Sequence, residues 1–154
     1  MKTHRFPEHV SEAAVRAAAG QVFVLSLLAI ALQLPWLALV LVVDFGLRVF
    51  AGPRWSFLSF AAGRFLVPLF GIRGDQIPYP PKRFAASIGL SLSALAFILA
   101  LFTGTRVWLL PLTLLSLFSV LESFLGFCAG CKIYGLLIRL HIVPEHNCPQ
   151  CRLR

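Results

Sequence analysis

The chain has 154 residues, 58% of them hydrophobic and 13% charged, and its 14 Lys and Arg against 6 Asp and Glu give a formal net charge of +8. Charged residues make up about a quarter of an ordinary soluble domain, so this composition, with a mean hydropathy of +0.84, excludes a soluble fold and points to an integral membrane protein. The positive charge does not indicate nucleic acid, because Lys and Arg flank apolar segments and no basic stripe with interleaved aromatics occurs.

The first 16 residues carry Lys2, Arg5 and Arg16 but no short apolar stretch ending in a cleavage site, so they do not read as a cleaved signal peptide. Ser11 and Glu12 form a plausible helix start, and residues 13–32 give a first span of the length a bilayer core requires. Gln33, Leu34 and Pro35 interrupt the run. Pro35 suits the first turn of a second span over 35–50, so the two form a tight hairpin.

From 52 to 83 the character changes. Arg54, Arg64, Arg73, Lys82 and Arg83 alternate with Trp55, Phe57, Leu58, Phe60, Phe65 and Leu66, the composition of an amphipathic collar lying in the membrane interface. Pro68 and the run Ile77-Pro78-Tyr79-Pro80-Pro81 predict extended, polyproline-like chain there rather than a long helix. A third span is expected over 84–102 and a fourth over 107–127, followed by a tail over 128–154 that begins with a short helix over 134–142. The expected fold is therefore all-α, with four transmembrane helices and an interfacial segment between the second and third.

Lys and Arg concentrate in the N-terminal segment, the collar and the tail, whereas the opposite loops hold Arg106. By the positive-inside rule both termini face the cytosol. Paired cysteines on that reducing side bind metal or do redox work more often than they form structural disulfides.

The chain has four cysteines, Cys128 and Cys131 in one C-x-x-C pair and Cys148 and Cys151 in another, with 16 residues between the pairs. That spacing suits a tetrahedral zinc site built from all four, which would clamp the tail into a partner-docking surface. It equally suits a dithiol relay in which the tail pair exchanges electrons or sulfur with the membrane pair through a mixed disulfide. Placement of Cys128 and Cys131 at the C-terminal end of the fourth helix disfavours thiolates, an effect that Lys132 offsets in part. His146 is close enough to Cys148 to substitute as a metal ligand, whereas His4, His9 and His141 form no pattern with the cysteines.

Glu122 lies inside the fourth span, where an ionisable residue marks a functional site by default. On a straight helix Cys128 and Cys131 point about 120° and 180° away from it. Its functional role would be proton acceptor for a nearby thiol, but unless the helix breaks at Gly126 or Gly130 it faces elsewhere, and an ion pair with an arginine such as Arg48 or Arg64 is the structural alternative. Asp44 and Arg48 have the i, i+4 spacing of a helical ion pair. A small-solute transporter using Asp44 and Glu122 is a further reading, weakened by the lack of paired broken helices. Gly126 and Gly130 form a G-x-x-x-G. Together with Ser87 and Ser91, and Gly89 and Ser93, it predicts close packing of the third and fourth spans, or a homodimer through Gly126 and Gly130.

The segment Leu121-Glu122-Ser123-Phe124-Leu125-Gly126-Phe127-Cys128-Ala129-Gly130-Cys131-Lys132-Ile133-Tyr134 resembles that of a family of small bacterial membrane proteins, domain of unknown function 4395. The likeness extends to the stretch from Asp44 to Phe50 and to the Pro-rich lead into Lys82-Arg83-Phe84. It implies a multi-pass bacterial inner-membrane protein whose most distinctive feature is the dithiol.

These readings converge on thiol redox or sulfur handling by Cys128, Cys131, Cys148 and Cys151. Zinc is the candidate cofactor of the alternative. Besides the lipid bilayer, a thioredoxin-like or sulfur-carrier protein is the expected partner.

Overall fold

The computed structural model describes residues 9–71, 74–103 and 105–140, and this part of the chain is almost entirely helical. Three helices are long and apolar enough to cross a membrane: α1, Glu12–Leu32, α5, Tyr79–Phe102, and the run Arg106–Leu125, which comprises one 3-10 turn and α6, Leu109–Leu125. The second expected span, α2, is Pro35–Phe50. Its 16 residues extend about 24 Å at ~1.5 Å per residue, short of the ~30 Å hydrocarbon core.

α1 lies along α6 and α2 along α5, while α5 meets α6 and α1 meets α2, so the four helices close into a ring. The interior is small and tight: Ser26, Ala29, Ala38, Leu41, Ser93 and Leu112 are fully buried. The outward faces carry Val24, Leu27, Leu95, Ile98, Leu110 and Leu117, all exposed. Helices apolar both inside and outside are those of a bundle surrounded by lipid.

The hairpin between α1 and α2 forms as the sequence predicts. Gln33 adopts the left-handed conformation with φ 55°, its backbone N–H returns to the Ala29 carbonyl, and Pro35 occupies the first turn of α2. At the other end of the bundle, a two-stranded antiparallel ribbon pairs β1, His9–Ser11, with β2, Gln76–Pro78. Between α2 and β2, α3, Phe57–Ala61, leads through a π-turn at Ala62–Leu66 into α4, Val67–Phe70. Leu58 and Ala62 turn inward, while Trp55, Phe57, Phe60, Phe65 and Leu69 remain 57 to 77% exposed.

The proline run departs from expectation. Only Gln76–Pro78 is extended, and Tyr79, Pro80 and Pro81 form the first turn of α5, so the third span begins five residues before position 84. The first N–H groups of a helix have no intrahelical acceptor, so prolines there forfeit nothing. The Tyr79 hydroxyl donates to the Arg48 carbonyl at 2.7 Å and Arg83 Nε to the Val49 carbonyl at 3.0 Å, which fastens the start of α5 to the end of α2.

Small residues set one helix separation. A Cβ on Gly89 would lie 2.6 Å from the Phe45 ring, so the stripe on α5 receives α2 at this point rather than α6. Ser87 and Ser91 lie on the exposed side and donate to the carbonyls one turn back.

Candidate functional site

α6 ends at Gly126. With φ +65° it supplies the left-handed residue of a Schellman closure, in which the Gly126 N–H donates to the Glu122 carbonyl at 3.1 Å and the Phe127 N–H to the Leu121 carbonyl at 3.2 Å. Arg16 of α1 covers two of the remaining acceptors, reaching the carbonyls of Ser123 at 3.2 Å and Phe124 at 2.9 Å. The chain then reverses, and a last helix, α7, runs from Ala129 to Arg139 with extended Cys128 as its N-cap.

This break corrects three expectations. The tail helix starts five residues before position 134 and ends before position 142. The cysteine pair sits at the N-terminus of a helix, where the dipole favours a thiolate, instead of at the C-terminus of α6. Gly126 and Gly130 do not share a helix face: the first terminates α6, and the second lets α7 approach α5, where a Cβ would meet Cα and Cβ of Ala85 at 2.7 Å.

Cys128 is buried, at 8% exposure, and Cys131 is partly exposed. Both are free thiols, with Cys131 Sγ donating to Cys128 Sγ at 2.7 Å and the Cys131 backbone N–H donating to the same sulfur at 3.4 Å. The donated S–H holds the Cys128 thiol below its ordinary value, even though burial and the Glu122 carboxylate push it up; the Lys82 ammonium and the backbone N–H assist. Cys131 moves the opposite way, because its proton is engaged by Cys128 and its surroundings are largely buried. A thiolate is thus favoured on Cys128, while Cys131 retains its proton.

Glu122 pairs with Lys82 of α5 at 2.5 Å, with side-chain exposures of 20% and 16%. The partner is neither Arg48, which is engaged by Asp44, nor Arg64, which is exposed on the π-turn. Because α6 stops at Gly126, Glu122 also lies within electrostatic reach of both thiols. Sequence reasoning missed Lys82, since 40 positions separate it from Glu122 and no local spacing links them.

The Asp44 and Arg48 pair forms as expected at 2.8 Å, and Asp44 is 3% exposed. Its second oxygen accepts from the Ser56 hydroxyl at 2.7 Å and the Leu58 backbone N–H at 2.9 Å, so this carboxylate also caps α3. Arg48 donates to Ser56 at 3.1 Å and lies 5.1 Å from the centre of the Phe45 ring.

Among the described residues no three His, Cys, Asp or Glu side chains converge on a point that could hold a metal. Cys148, Cys151 and His146 lie outside the described residues, so the four-cysteine arrangement is not among the observed contacts. No curated protein and no solved structure matches the chain. A family profile, described as Domain of unknown function (DUF4395), matches residues 10–139, a stretch holding every described helix and the Cys128 and Cys131 pair, and the chain therefore belongs to that family.

Proposed function

We propose that the chain is a thiol–disulfide exchange protein of a bacterial inner membrane, with Cys128 as nucleophile and Cys131 as resolving thiol. The observation that carries this reading is Cys128 Sγ at the N-cap of α7, accepting both the Cys131 S–H and its backbone N–H. In the exchange, the Cys128 thiolate attacks a disulfide of a thioredoxin-like or sulfur-carrier partner, forming a mixed disulfide and releasing one partner thiolate. Cys131 then gives up its proton and attacks Cys128 Sγ, closing the intramolecular disulfide and releasing the second thiolate. Two electrons pass to the partner, and the reverse sequence reloads the pair. In the chain itself, Cys148 and Cys151 supply a second dithiol for such exchange.

α2 is read as the fourth crossing despite its length. It leaves α1 at one end of the bundle through Gln33 and Leu34, and its last turn is tied to the first turn of α5 at the other. The end that holds the thiols also holds Arg16, Arg54, Arg64, Lys82, Arg83 and Lys132, against Arg106 at the opposite end, which supports a cytosolic orientation. The exposed aromatics of α3 and α4 suit the membrane interface.

The test is trapping with a small soluble disulfide. Cys131→Ser should accumulate a mixed disulfide on Cys128, and Cys128→Ser should not accumulate one on Cys131. Absence of a mixed disulfide in both variants sinks the reading. Zinc bound by all four cysteines is the second reading, supported by the same N–H donation to Cys128, which stabilises a metal-bound thiolate as well as a free one. One zinc per chain, lost in Cys148→Ser, would favour it.

A further inference from the structure

A cavity of about 140 Å³ lies inside the ring of helices and opens at the thiol end. Its walls are Ala19 and Val22 of α1, Leu92 of α5, and Leu115 and Phe118 of α6, and at its mouth stand Lys82, Glu122 and Cys128. A cavity of about 150 Å³ accommodates one benzene-sized ring. The ring of helices thus holds a largely apolar space of single-ring size, lined also by the Cys128 thiol, the Lys82 and Arg48 cations and the Glu122 carboxylate.

We propose that this cavity takes the ring of a membrane quinone, and that the quinone is the two-electron acceptor that oxidises Cys128 and Cys131 after a partner dithiol, in the reverse of the exchange above, has reduced them. The inference rests on the dithiol reading above and adds its electron partner. Dinucleotides and peptide disulfides are too large for a space of about 140 Å³, well below the ~300–1,000 Å³ of pockets for larger ligands. A quinone presents an apolar ring, two carbonyl oxygens and an apolar tail that remains in the bilayer. Lys82 has three N–H donors and Glu122 occupies one of them, leaving donors for the oxygen on which negative charge develops.

The step balances. Cys128 and Cys131 lose two electrons and two protons and form one S–S bond, while the quinone gains two electrons and two protons at its oxygens and departs as the hydroquinone. Cys128 lines the cavity, and Cys131 Sγ donates to Cys128 Sγ at 2.7 Å, within reach to close the S–S bond.

The experiment uses the reduced full-length chain in detergent and a short-chain benzoquinone substituted at every ring carbon, which cannot arylate thiols. Peptide mapping locates the disulfide formed, and a small soluble disulfide supplies a reference rate for each protein. Formation of the disulfide between Cys128 and Cys131, with one hydroquinone per disulfide, is the expected result. Ala86→Leu and Ser119→Leu, which fill the cavity from α5 and α6, should each lower the ratio of quinone rate to soluble-disulfide rate at least about tenfold. Leu117→Phe on the outward side of α6 should leave that ratio as it is. Oxidation by the soluble disulfide but not by the quinone, or a ratio unmoved by both filling variants, overturns the quinone inference and leaves the dithiol reading standing. Failure of both oxidants to close the pair overturns the two together.

Discussion

Two ion pairs sit at the same end of the bundle, and they differ in what surrounds them. Asp44 and Arg48 are closed: the carboxylate also accepts from Ser56 and Leu58, the guanidinium also reaches Ser56 and lies near Phe45, and Asp44 is almost wholly buried. Glu122 and Lys82 are open: the carboxylate keeps 20% exposure against 3% for Asp44, and two thiols lie within their field, although Arg48 lines the cavity as well as they do. A carboxylate saturated by a helix cap and a neighbouring cation is scaffold. One that shares its cation with two thiols is, on the proposed exchange, placed for chemistry.

The comparison breaks first at Asp44. Asp44→Ala leaves the largely buried Arg48 without its counter-charge and the Leu58 N–H of α3 without its acceptor, and should cost about 3–5 kcal/mol of stability. Chemical denaturation in detergent measures this, and the double variant Asp44→Ala with Arg48→Met should recover part of the loss. If Glu122→Gln destabilised as much as Asp44→Ala, the contrast between scaffold and site would fail.

Second in size is the nucleophile. Cys128→Ser should slow exchange with a soluble disulfide by about a hundredfold or more, whereas Cys131→Ser should keep the first attack and block ring closure. Stopped-flow thiol release separates the two steps.

The glycines come third. Gly130→Ala places a Cβ 2.7 Å from backbone and side-chain atoms of Ala85, so α7 must move away from α5 at a cost of roughly 1–3 kcal/mol. Gly126→Ala meets only ordinary contacts, the nearest being Glu12 Oε1 at 3.6 Å, and should cost about 1 kcal/mol for its left-handed backbone. Thermal unfolding of the two variants ranks them. The reverse order would mean that the turn, rather than the close approach, holds α7 in place.

The smallest effect concerns pH. The thiolate is the reactive form, so exchange rises as pH rises through the Cys128 value and levels off above it. Because that value is held below the ordinary one, the rise should begin at lower pH than for a free cysteine. Lys82→Gln removes a cation that favours the thiolate and should displace the rise to higher pH. A rate profile across pH 5 to about 10 spans the ordinary thiol value near 8.5; an unmoved profile would leave Lys82 a purely structural role.

Much of the fold is written locally. Apolar runs of bilayer length, Pro35 after Gln33, and the i, i+4 spacing of Asp44 and Arg48 each specify a structure within a few residues. The proline run misleads, because Pro80 and Pro81 read as helix breakers until their place in the first turn of α5 makes them helix starters. The site was half legible. C-x-x-C marks the thiols and an acid within a span marks Glu122, but whether the two meet depends on the left-handed turn at Gly126. In the sequence Lys82 belongs only to the collar, since its pairing with Glu122 arises from the docking of α5 against α6.

The measurement that bears most directly on the central claim is a redox titration of the full-length chain in graded glutathione buffers, quenched with an alkylating reagent and mapped by peptide mass. The account predicts a reversible, two-electron interconversion in which Cys128 and Cys131 close on each other. A pair that remains fully reduced across the series, or that pairs only with Cys148 and Cys151, would contradict it.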